Sequence, residues 1–179
     1  MKFIKYFILF VCFILVGIFT IFFVSPNSFF INSLAKSTDI SYGYSEGTLH
    51  KGSLNDFEFK NIEFDRVEYK NTISFKRLTS VISTFGPHKA TIKLNHILNT
   101  NLIDISISTL SSKIKLNELL NLISLNIEKG SISYDFNDSR CESANGNGYL
   151  SNDLLGRINL TIECRNGRLI AILKKNRIN

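Results

Sequence analysis

The 179-residue chain is poor in the side chains from which most active sites and metal sites are built: three histidines, three cysteines, two prolines, one methionine and no tryptophan. His50, His88 and His96 stand in unrelated contexts, with neither an HExxH segment nor two histidines at helical metal spacing. His88 follows Gly86-Pro87 and reads as a solvated imidazole in a turn. Serine is plentiful, yet no Gly-x-Ser-x-Gly elbow occurs. Gly146 and Gly148 in Asn145-Gly146-Asn147-Gly148 read as a turn, and no Lys-Ser or Lys-Thr follows to make a phosphate loop. No position is therefore expected to be catalytic, cofactor-binding or metal-ligating. The chain reads as a non-enzyme without cofactors, and an anchored hydrolase with a convergent site is the residual enzyme reading.

Charge is equally uninformative about a polyanionic partner. The formal net charge is +6, but the basic residues are thinly spread apart from Lys174, Lys175 and Arg177 at the tail, and aromatic residues do not interleave with them. Nucleic acid is excluded as a partner. The tail reads as a solvated strand end, with anionic headgroups or an acidic partner as the sharper alternative. Glu58, Glu63, Asp65 and Glu68 alternate with apolar residues beside Lys60, Arg66 and Lys70. They are expected on one wet strand face, joined by cross-strand ion pairs.

Against these shortages stands one surplus. From Tyr6 to Val24 no residue is charged and only Gly17 and Thr20 interrupt the apolar run. Its nineteen residues come to about 28 Å of helix, close to the hydrocarbon thickness of a bilayer. Phe22, Phe23 and Val24 pass directly into Ser25-Pro26-Asn27 without a small-residue cleavage site, which favours an uncleaved signal-anchor over a cleaved signal. Cys12 lies mid-span with no small residue before it and reads as a lipid-facing hydrophobe. Lys2 and Lys5 precede the span, and the positive-inside rule puts the N-terminus in the cytoplasm. The expected organisation is a stub over residues 1–5, a span over 6–24, a juxtamembrane collar over 25–36 and an exported domain over 37–179. In the collar, Ser25 is expected to cap a short helix led by Pro26, with Phe29, Phe30 and Leu34 on one face.

Beyond the collar the apolar period becomes two: Phe57 and Phe59, Ile62 and Phe64, Val67 and Tyr69, Ile73 and Phe75, then Ala90 to Leu94, Ile103 to Ile107, and Ile114 with Leu116. Such alternation describes strands with one dry and one wet face. Parity slips between Phe59 and Ile62 and between Phe64 and Val67, and each slip requires a turn or a bulge. Ile123 to Ile127 and Ile132 to Phe136 read as a hairpin about Lys129-Gly130. Ile158 to Cys164 and Leu169 to Leu173 read as another, about Asn166-Gly167. Leu78 to Phe85 and Asn117 to Leu122 are expected as short helices. The fold class is mainly β, an antiparallel sheet curving without closing, whose apolar concave face could pack on itself or accept a lipid chain or an apolar protein segment.

Cys141 and Cys164 are the only cysteines of the exported part, and a lone pair there reads as a disulfide rather than a metal site, with two unpaired buried thiols as the alternative.

Two local patterns add to this reading: Gly47-Thr48-Leu49-His50-Lys51-Gly52 before the first clear strand, and Cys141 and Cys164 followed by Gly167. With the single span and proline-led collar, they resemble the N protein of the bacterial type II secretion system. Gly47, Thr48, Leu49 and Gly52 match its Gly-Thr-Leu-aromatic-x-Gly segment, with His50 where that family typically has tryptophan. The resemblance implies an accessory subunit in the cell inner membrane with a periplasmic β domain and no catalytic residues. It implies other platform subunits or pseudopilins as partners. The alternative is a lipid-transport module similar to lipopolysaccharide-bridge or AsmA-like proteins, with lipid in the groove.

Overall fold

The computed structural model describes residues 2–36, 38–60, 62–98, 100–114, 123–152 and 156–175. Helix α1 (Lys2–Phe23) opens the chain and α2 (Asn27–Ala35) follows. Tyr6–Phe23 is long and apolar enough to cross a membrane, and none of it is buried against the rest of the protein. Helix α1 begins at Lys2, ahead of the apolar run, and Cys12 is exposed with a free thiol.

Every remaining element is a strand: β1 (Ile40–Ser41), β2 (Tyr44–Gly47), β3 (Lys51–Phe59), β4 (Ile62–Ser74), β5 (Arg77–Phe85), β6 (His88–Ile97), β7 (Leu102–Ile114), β8 (Ile123–Asp135), β9 (Arg140–Asn152), β10 (Gly156–Arg165) and β11 (Arg168–Lys175). From β3 to β11 each strand pairs antiparallel with the next, while β1 and β2 both pair with β3. The result is one meandering antiparallel sheet, as the period-two pattern implies.

The register aligns the dry positions into continuous rows. One runs Tyr69, Ile82, Ile92, Ile107, Gly130, Gly146, Ile162, Ala171, each residue the cross-strand partner of the next. A second runs Val67, Thr84, Ala90, Leu110, Ile127, Gly148, Leu160, Leu173. Ile107, Ile127, Leu160 and Ile162 form the buried cluster, with Ile105, Leu110, Leu125 and Ala144 packed against it. In a flat sheet β7 and β10 would stand about 14 Å apart, beyond side-chain reach. Glycine closes that gap. A Cβ on Gly130 would meet Ile107 at 3.7 Å, and one on Gly146 would meet Ile162 at 3.3 Å. With no side chain at these two central positions, the sheet curls over its own apolar face. Register shifts between Thr91 and Ile92 and between Ile127 and Lys129 bend the same region.

Several expectations are corrected here. Leu78 to Phe85 is strand β5, not a helix: its apolar residues fall at helical spacing, but pairing along its length with β4 on one side and β6 on the other overrides that local signal. Lys129-Gly130 is no turn: β8 runs through it, as β9 runs through Asn145 to Gly148, since the core needs glycine inside these strands. Helix α2 starts at Asn27, and Pro26 instead bridges to Thr48. The slip between Phe59 and Ile62 is the β3–β4 turn, with Lys60 at φ +48°. Between Phe64 and Val67 the register with β3 does not change: Leu54 faces Val67 and Phe57 faces Phe64. Both strands switch faces together, and Asp56, at φ +52°, marks the place. The expected cross-strand ion pairs are also absent among the described residues. Arg66 pairs with Glu68 on its own strand, and Glu58 faces Glu63. Asn117 to Leu122 lies outside the described residues.

Cys141 and Cys164 form a disulfide with Cα atoms 5.8 Å apart. Asn166 and Gly167 both have positive φ, as a two-residue hairpin turn requires. The disulfide closes a loop of sequence separation 23, worth about 3 kcal/mol by loop entropy. Cys141→Ser with Cys164→Ser should lower the unfolding free energy of the full chain in detergent by about that amount, and without reduction neither cysteine of the native domain should react with an alkylating agent. Gly146→Val should cost about 1–3 kcal/mol by overpacking against Ile162, read from the same denaturant titration.

Candidate functional site

The residues singled out by the Gly-Thr-Leu pattern build the joint between helix and sheet. Gly47 and Gly52 are cross-strand partners closing the β2–β3 hairpin. Gly47 has φ +93°, a conformation that glycine adopts without strain. The Thr48 N–H donates to the Lys51 carbonyl at 2.9 Å inside the turn. The turn then locks outward on two sides. The His50 N–H donates to the Phe22 carbonyl at 3.1 Å, reaching the last turn of α1. Asn71 on β4 donates its backbone N–H to the His50 carbonyl at 2.7 Å and its side-chain amide to the Leu49 carbonyl at 2.7 Å. Thus a single turn holds α1 at one side and the third and fourth strands at the other.

Asn27 is the keystone of this joint, with only 1% of its surface exposed. Its Nδ2 donates to the Glu46 carbonyl at 2.7 Å, and its side chain also bonds Tyr69. The Tyr69 hydroxyl donates to the Thr48 carbonyl at 2.8 Å. A Cβ on Gly52 would stand 2.6 Å from both Asn27 Nδ2 and the Tyr69 oxygen, which is why glycine is required. Burial pushes the Tyr69 hydroxyl up from its ordinary value, and the Asn27 bond pulls it the other way. The unfolded chain gives up this proton first, so the contribution is complete below about pH 10 and is lost as pH rises through the higher folded value. In the collar, Tyr42 donates to Asn32, while Phe29 is 76% exposed.

The His50 ring packs among aromatic rings. It lies 4.8 Å from Phe23 and 5.8 Å from Phe22 between centroids, and its Nδ1 is enclosed without a hydrogen-bond partner among the described residues.

The second motif group sits at the far side of the sheet but at the same end. The Cys141 N–H donates to the Gly167 carbonyl at 2.8 Å, so the disulfide and the β10–β11 turn brace one another. Neither motif group forms a catalytic constellation, and no cluster of three His, Cys, Asp or Glu residues capable of holding a metal occurs among the described residues.

Two hollows accompany the joint. One of about 480 Å³ lies on the wet face beside it, lined by Glu46, Lys51, Ser53, Arg66, Glu68 and Lys70 among others. Lys51 and Lys70 are direct cross-strand partners there, a like-charge arrangement that disfavours the free sheet. The other, about 580 Å³, lies at the opposite end of the sheet on the dry face. Ile62, Phe64, Ala90, Ile92, Leu110 and Leu125 supply its apolar wall. Strands β4 through β8 contribute to this one hollow, which is the concave face the sequence implies. His88 is not a solvated turn residue. Its Nδ1 lies 2.6 Å from Ser112 Oγ and its ring packs against Phe64, because it begins strand β6.

No family model matches the chain, and neither a curated protein nor a solved structure matches it at a significant level.

The buried polar knot was not legible in the sequence. Asn27 reads there as one more polar residue after Pro26, and only the fold brings it to Gly52 and Tyr69. Asn27→Ala strips a buried hydrogen-bond donor from two partners and should cost about 1–3 kcal/mol, measured by thermal unfolding in detergent. Replacing His50 with tryptophan or phenylalanine removes an enclosed unpaired nitrogen while keeping the ring stack, and should leave stability equal or raised.

Proposed function

We propose that this protein is a non-enzymatic, single-pass subunit of the inner membrane that supports a type II secretion apparatus through contacts of its periplasmic β domain. The observation that carries the reading is the joint. The residues that match the Gly-Thr-Leu-aromatic-x-Gly segment build the turn that holds α1 through the His50–Phe22 bond, α2 through the Asn27–Gly52–Tyr69 knot, and β4 through the Thr48 and Leu49 carbonyls. A rigid joint suits a scaffold that must present one face at a set height above the membrane. The polar hollow beside it, with Lys51 and Lys70 side by side, suits a partner surface carrying carboxylates.

Site-specific cross-linking from position 83, which lines the same hollow, should capture a platform subunit or pseudopilin in cells, and Lys51→Glu with Lys70→Glu should reduce the captured product by about tenfold or more, since reversed charges turn attraction into repulsion. Unchanged export in a deletion strain, with no platform subunit captured, would overturn the reading.

The dry hollow over β4 to β8 favours a second reading, a lipid-handling module. Its volume falls in the range of small-molecule sites. Mass spectrometry of gently extracted protein decides between the two: stoichiometric phospholipid or lipopolysaccharide supports lipid handling, and an empty domain removes it.

A further inference from the structure

In an up-and-down meander alternate turns fall at the same end of the sheet. The β2–β3 turn touches the last turn of α1 through His50 and Phe22, so the β4–β5 and β6–β7 turns share the membrane helix's end of the sheet. Strand β4 does not stop level with that contact. Asn71 bonds His50, and the strand then continues through Thr72, Ile73 and Ser74, roughly 10 Å further at strand rise.

The projecting tip has the composition of a membrane-interface element. Phe75 is 96% exposed, Ile73 56% and Leu98, in the β6–β7 turn, 48%. The two turns are one unit, because the Leu98 N–H donates to the Lys76 carbonyl at 3.1 Å. Lys76 and Arg77 follow directly and are exposed. From Tyr69 to Ile103 the chain has five lysines and arginines and no acidic residue. No apolar surface elsewhere in the sheet covers Phe75, and a bare aromatic beside two cations is costly in water but well placed at a headgroup boundary. Apolar insertion and attraction to anionic lipid then act together.

We infer that the joined β4–β5 and β6–β7 tips form a second membrane contact, with Phe75, Ile73 and Leu98 entering the headgroup layer and Lys76 and Arg77 meeting anionic lipid. The contact rests on α1 spanning the bilayer. It would fix the sheet at two points, the joint at β3 and the tip at β4–β7, so that the domain stands on the membrane without swivelling about α1.

The test uses the full chain in vesicles of mixed zwitterionic and anionic phospholipid. A fluorophore is placed at Phe75→Cys, or at Pro87→Cys in the opposite turn, in a Cys12→Ser background. The label at position 75 should be quenched several-fold more by lipid-borne nitroxide than the label at 87, and several-fold less by aqueous iodide. Lys76→Glu with Arg77→Glu should diminish the difference. Hydrogen exchange of the unaltered chain supplies a second readout: amides of 72–78 should slow in anionic nanodiscs relative to detergent, while those near Pro87 should not change. Equal iodide access at 75 and 87, or exchange at 72–78 indifferent to lipid, overturns the tip contact while carbonate-resistant protein keeps the span. Release by carbonate overturns the span and the tip contact with it.

Discussion

A single antiparallel sheet has two faces, and among the described residues this one has no second layer of strands or helices to cover either. Everything distinctive about the domain follows from that constraint. The apolar rows must be buried by the sheet itself, so it has to curl, and curling needs space on the inner face. Gly130 and Gly146, paired across β8 and β9, provide it, and Ile107 and Ile162 close in from either side. The glycines act by absence: any side chain there would hold β7 and β10 apart. The same economy leaves a small core, with only Leu54, Val67, Ile107, Ile127, Cys141, Leu160 and Ile162 as its buried apolar residues among those described. A core of this size makes the disulfide a large share of the domain's stability.

The period-two pattern made the fold class legible because alternation is a local property, preserved whatever the strands pair with. The hairpin at Asn166-Gly167 was legible for the same reason, its turn chemistry being written in two adjacent residues. What the sequence concealed depends on distant partners. Gly130 and Gly146 look like turn residues until the register places isoleucines on both sides of them. Leu78 to Phe85, Leu-Thr-Ser-Val-Ile-Ser-Thr-Phe, spaces its apolar residues as a helix would, and its strand character comes from pairing along its length with β4 and β6. Asn27 becomes the most buried side chain described only because α2 lands on the β2–β3 hairpin.

The joint joins two kinds of stability. Among the described residues helix α1 has no packing against the sheet beyond its last turn, so its orientation depends on a short relay of directed bonds: His50 to Phe22 on α1, Asn27 of α2 to Glu46, and Tyr69 to Thr48 inside the sheet. Hydrogen bonds suit this task better than apolar contact, since they fix angle as well as distance. Their burial matters as much as their number. An exposed amide could exchange its partner for water, whereas Asn27, enclosed by α2 and the hairpin, would leave two groups unsatisfied if it moved. The histidine ring between Phe22 and Phe23 adds packing without a second polar tie.

The position of the dry hollow bears on how such a domain can work. Its lining residues Ile62, Phe64 and His88 stand at the starts of β4 and β6, at the end of the sheet opposite α1, so whatever occupies it is held at that far end. The inner face is not empty: Ile107, Ile127, Leu160 and Ile162 fill its middle and are each no more than 9% exposed. An acyl chain moving from the membrane to the hollow would have to displace that cluster, which is the domain's main source of apolar burial. Carriage along the sheet and a folded sheet therefore compete. A filled middle and an open far end make the hollow a closed bay of the sheet and not the mouth of a continuous channel.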